Sequence, residues 1–130
     1  MRLLRSLIVP VVAFALTACT GEASSILLAS PAGSTLHVTV ARPNVTLTNV
    51  TSNVVRYYLM SPSILTLALL APCDTSCPAI QPGQTVVVPY TGIAGYSPAD
   101  TEAQLTWWQF GPTPAIRIDS TVQSLRVPLR

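Results

Sequence analysis

The chain has 130 residues, a formal net charge of +2, a single histidine and no lysine, and charged side chains make up only 9% of it. That length holds one domain. So thin a charge lacks the basic footprint that grips a phosphate backbone, which excludes nucleic acid as a partner.

Arg2 and Arg5 precede an uncharged stretch from Leu7 to Leu16, followed by the small residues Thr17 and Ala18. This is the grammar of a secretory signal. The apolar run is interrupted by Pro10 and is shorter than the ~20 residues that a spanning helix needs. It ends in "LTAC", residues 16 to 19, which resembles the lipobox of bacterial membrane lipoproteins cut by signal peptidase II. The resemblance implies that residues 1–18 are a cleaved signal peptide. Cys19 then becomes the first mature residue, bearing thioether-linked diacylglycerol and an amide-linked acyl chain such as palmitate. It also implies a cell-envelope location, with the membrane as partner through that anchor. Because Thr20 rather than an aspartate follows, the periplasmic face of the outer membrane is expected in a cell with two membranes. Two or three acyl chains hold a protein firmly where one holds it marginally.

Residues 19–33 mix small side chains with a short apolar patch and read as a lipidated tether to a domain at 34–130. Within it, Ile26 to Leu28 either adds to the first strand or rests on the membrane. Cys73 and Cys77, in "CDTSC", are expected to form a disulfide in an oxidising compartment.

From Gly33 onward the pattern is strand after strand. "TLHVTVA" (35–41) and "NVTLTN" (44–49) alternate apolar with polar residues, as half-buried strands do. "VVRYYLM" (54–60) is rich in β-branched and aromatic residues, and the intervening "TSN" suggests a hairpin from 44–49 into it. "ILTLALLA" (64–71) reads as a buried strand by its length and flanking prolines. "PGQTVVVPY" (82–90) enters from a turn signal and ends at Pro89. "SPAD" (97–100) has the capping chemistry of a helical turn. "EAQLTWWQF" (102–110) and "QSLRVPL" (123–129) close the chain, and 116–119 is either a strand or a loop.

About seven short strands with one helical turn describe an all-β antiparallel sandwich. The order of features resembles the immunoglobulin-like domains of exported bacterial proteins: a strand ending in Asn49, a Pro-Gly entry, a helical turn, then a tryptophan strand. It departs from antibody-type domains in having no cysteines placed for an inter-sheet bridge. Architecture alone is therefore carried over, and no functional residue.

Chemistry is sparse. His37 is the sole histidine and alternates outward from Leu36 and Val38. Asp100 and Glu102 read as turn capping rather than a carboxylate pair, and no phosphate loop, nucleophile elbow or zinc-protease motif is present. No catalytic residue is assigned, no cofactor or metal is expected, and the chain reads as noncatalytic. "CDTSCP" matches the Cys-x-x-x-Cys-Pro of Sco-type copper chaperones, where thiolates and a histidine suit copper. That family, however, sets its motif in a thioredoxin-like fold with the histidine downstream.

In "TWWQF", alternation that sends Trp107 into the core sends Trp108 and Phe110 outward. Trp108 is then either an open binding ring or covered by the 111–121 segment. Exposed Trp, Tyr and Arg make interface hot spots, so Trp108, Phe110, Tyr57, Tyr58, Arg56 and Tyr96 are the candidate binding surface. Three functions follow. The leading one is an envelope lipoprotein presenting its sandwich to a protein or envelope polymer. The others are a copper or redox periplasmic protein using the Cys73 and Cys77 pair, with or without His37, and an accessory or inhibitor of a secreted enzyme acting through the 91–100 loop.

Overall fold

The computed structural model describes residues 25–28, 33–65, 76–111 and 117–130, with side chains of the last segment from Thr121. Eight strands are present: β1 (Ile26–Leu27), β2 (Leu36–Ala41), β3 (Asn44–Asn49), β4 (Val55–Met60), β5 (Ala79–Ile80), β6 (Thr85–Pro89), β7 (Glu102–Phe110) and β8 (Arg117–Pro128). They form two four-stranded sheets, ordered β1-β2-β3-β6 and β5-β4-β7-β8, with every pairing antiparallel. The chain is an all-β sandwich. The chain crosses between the sheets from β3 to β4, from β5 to β6 and from β6 to β7.

Alternation decides which side chains fill the space between the sheets. Leu36, Val38 and Val40 of β2 and Val45 and Leu47 of β3 face Val55, Tyr57 and Leu59 of β4 and Ala103, Leu105 and Trp107 of β7, all buried in one cluster. Trp107 also joins the layers by a polar contact, its Nε1–H donating to Thr35 Oγ1 at 2.9 Å.

Three expectations change. The segments 44–49 and 54–60 do not form a hairpin: β3 pairs with β2 and β6, whereas β4 pairs with β5 and β7. The reason is Asn49, fully buried at the end of β3. Its Oδ1 accepts the Thr51 N–H at 2.9 Å and the Thr51 hydroxyl at 2.8 Å, and its Nδ2 donates to Asn53 O at 2.8 Å and Ile80 O at 2.9 Å. The turn is wound around that side chain and carries the chain over to the opposite sheet. The hairpin that does form joins β2 to β3 through Arg42 and Pro43.

The expected strand at 64–71 begins instead as a short helix, α1 (Pro62–Leu65), and 66–71 lies outside the described residues. Pro62 suits a first helical position, and the Ser61 hydroxyl accepts the Ser63 N–H at 3.3 Å. At 97–100 the capping bonds are present without a helix. Ala99 N–H reaches Ser97 Oγ, Ser97 N–H reaches Asp100 Oδ2 at 2.8 Å, and Asp100 N–H closes a turn on Ser97 O. The helical turn before β7 is a 3-10 turn at Tyr90–Gly92. Of the two alternatives for Ile26 to Leu28, addition to the first strand is present: Ile26 and Leu27 pair with Val40 and Thr39 of β2.

The open choice at 116–119 resolves as strand from Arg117, β8 pairing with β7 across an irregularity between Trp107 and Gln109. Among the described residues, no helix is long and apolar enough to cross a membrane.

Candidate functional site

The outer face of the second sheet carries a cluster of aromatic and cationic groups. On β4, Arg56 and Tyr58 alternate away from the core, and on β7 Trp108 and Phe110 do the same. Register sets Arg56 opposite Trp108 and Tyr58 opposite Thr106. The Tyr58 and Trp108 rings meet edge to face at 5.3 Å, within the range where such pairs attract beyond their buried area. The Arg56 guanidinium lies 5.2 Å from the Phe110 ring centroid, a cation-π distance, and its Nη1 donates to Cys77 O.

The expected outward alternation of Trp108 is therefore present, and of the two alternatives, an open ring or a covered one, the ring is covered. Trp108 has no accessible surface and Phe110 only 2%; both are packed with Cys77 in a second apolar cluster separate from the main core. Tyr57 is likewise buried, in the main core, because it shares the inward parity of Val55 and Leu59. Burial raises the Tyr57 phenol above its usual 10.0. Of the six candidates, Arg56, Tyr58 and Tyr96 keep partly exposed side chains.

Tyr96 stands apart from this cluster. It stacks on buried Tyr90 at 6.0 Å, tilted by 53°, in a 91–100 loop that is firmly held. Ile93 is buried, Ala94 exchanges backbone hydrogen bonds with Leu59 and Ser61, and the Arg130 guanidinium donates to Pro98 O.

Among the described residues, His37 and Cys77 are not brought together. His37 is exposed on the outer face of the first sheet and Cys77 is buried against the outer face of the second, so the sandwich lies between them. Stacked sheets stand about 10 Å apart, far beyond one coordination sphere. Cys73 lies outside the described residues.

One feature that sequence reasoning missed is the indole of Trp108. Its Nε1–H is buried with no acceptor among the described residues. The doublet itself held the signal, since alternation places two equal donors on opposite faces and only one faces the threonine at position 35.

Fold and site together define a two-sheet β-sandwich with an aromatic and arginine cluster on one outer face. Compared with family models, curated proteins and solved structures, the chain matches none.

Proposed function

We propose that this protein is a noncatalytic envelope lipoprotein, anchored through Cys19, that presents the outer face of its second sheet to a protein or an envelope polymer. The observation carrying the reading is that Arg56 and Tyr58 remain partly exposed while buried Phe110 and Trp108 hold them from beneath. Partly exposed Tyr and Arg on a rigid support make economical binding groups, because little side-chain freedom is lost on contact. "LTAC" supports the anchor. A Cys73–Cys77 disulfide belongs to the same proposal and is supported by the exported setting that "LTAC" implies and by the burial of Cys77.

A photo-crosslinking side chain at Tyr58, expressed in native membranes, tests the reading. A discrete adduct that is absent when the crosslinker replaces Thr39, on the first sheet, is the expected result. Equal labelling from both positions would contradict it.

A further inference from the structure

The outer face of the first sheet is built from three cross-strand rows. Leu27, Thr39, Thr46 and Val87 form one, His37, Thr48 and Thr85 the next, and Ala41, Asn44 and Pro89 the third. None of the strands β1, β2, β3 and β6 contains Asp, Glu, Lys or Arg. The carboxylate residues of the described segments, Asp100, Glu102 and Asp119, lie instead on the approach to β7, on β7 and on β8. The two most exposed large apolar side chains among the described residues, Leu27 at 71% and Val87 at 57%, sit at opposite ends of one row. Threonines occupy the two positions between them. With strands about 4.8 Å apart, Leu27 and Val87 stand roughly 14 Å from each other on one surface.

We infer that this face rests on the lipid surface, with Leu27 and Val87 entering the interface, and so turns the Tyr58 face toward the aqueous side. The inference rests on the anchor reading given above. What selects a lipid surface over other occupants is the length of chain. Six residues lie between Cys19 and Ile26, and the seven steps from one to the other reach at most roughly 25 Å at about 3.3–3.6 Å per residue. The edge strand β1 therefore stays within roughly 25 Å of the lipid surface whatever path the tether takes, and Leu27 on that strand is the first side chain of the face.

The chemistry fits as well. A surface without carboxylates meets anionic headgroups without repulsion, and Arg42, exposed in the turn at one end of the face, offers a cation to lipid phosphate. Threonine hydroxyls suit the headgroup layer because they can bond to one another or to lipid. Thr48 and Thr85 already share a hydrogen bond of 2.9 Å.

The test uses the full-length processed protein, reconstituted in phosphatidylethanolamine and phosphatidylglycerol vesicles doped with nitroxide-bearing lipid. An environment-sensitive fluorophore is attached at V87C in one sample and at S124C in another, Ser124 being exposed on the outer face of the second sheet. The mass of the Cys19 peptide is read from the same preparations. Expected is a blue shift and loss of emission at position 87, with emission at 124 unchanged. A vesicle-bound chain with lipidated Cys19 and an unquenched label at 87, or equal quenching at both positions, overturns the orientation while leaving the anchor standing. A label at 87 that is unquenched and cross-links to a second copy overturns it in favour of self-association. An unmodified Cys19 with the chain left in the supernatant overturns the anchor and, with it, this orientation.

Discussion

Replacing each tryptophan by phenylalanine should have unequal effects, although the two residues are adjacent and both fully buried. Either substitution removes the second ring and leaves a similar void, costing about 1 kcal/mol at ~24 cal/mol per Å3 of residual cavity. Trp107→Phe also deletes the 2.9 Å bond to Thr35 Oγ1, a net loss of about 1 kcal/mol, for a total near ~2 kcal/mol. Trp108→Phe instead removes a buried N–H that lacks an acceptor among the described residues. Burying such a donor unmet costs ~1–3 kcal/mol, so relief of that penalty cancels the void and the variant should be near neutral or slightly more stable. The expected gap of about 2–3 kcal/mol corresponds to roughly 4–8 °C in Tm per kcal/mol for a domain of this size. Urea unfolding followed by far-UV circular dichroism is the appropriate assay, since tryptophan fluorescence changes with the mutation itself. Equal midpoint shifts for the two Phe variants at unchanged m-value would refute the assignment of distinct polar environments. Both Trp→Ala variants should lose ~3–5 kcal/mol, as befits rings that are structural on both faces.

Asn49→Leu should cost ~2–4 kcal/mol in the same assay, because buried Ile80 O and the Thr51 N–H lose their partners; a loss below about 1 kcal/mol would show that the inter-sheet turn does not depend on this side chain. Gly95 has φ +71°, and a Cβ there would lie 2.7 Å from Ile64 Cγ2, so Gly95→Ala should destabilise by ~1–3 kcal/mol through strain and overlap together. Most of the overlap part should vanish when Gly95→Ala is made in an Ile64→Ala background. Tyr57 has its pKa raised by burial above 10.0; between its unfolded and folded pKa the unfolded chain binds fewer protons than the native one, so stability is intact below pH ~10 and falls as pH rises beyond it. Tyr57→Phe should flatten that alkaline limb, and an unchanged slope would assign it to other groups.

Most strands were legible because alternation is a direct physical consequence of burying one sheet face. Leu36, Val38 and Val40 lie inward as their spacing requires, and so do Val45 and Leu47. The mistaken hairpin arose where local turn chemistry was read without its long-range partner: "TSN" is a turn, but Asn49 ties it to Ile80, thirty-one residues away, and that bond sends the chain to the other sheet. The two-residue β5 that receives it is too short to show any period. At 97–100 the caps were read correctly, and only the continuation into a helix was lacking. The binding surface was partly legible. Parity placed Trp108 and Phe110 on the outer face, but parity does not say whether an outward ring is covered, and both are buried. Their role shifts from contact groups to the floor under Tyr58 and Arg56.

The account turns on the anchor, and intact-mass and peptide mass spectrometry of the protein extracted from membranes tests it most directly. A chain lacking residues 1–18, with Cys19 at its N-terminus bearing diacylglycerol and an added acyl chain, is the predicted result, together with loss of this species in Cys19→Ser. A chain that carries an unmodified Cys19, or that is processed identically in the Cys19→Ser variant, would contradict it.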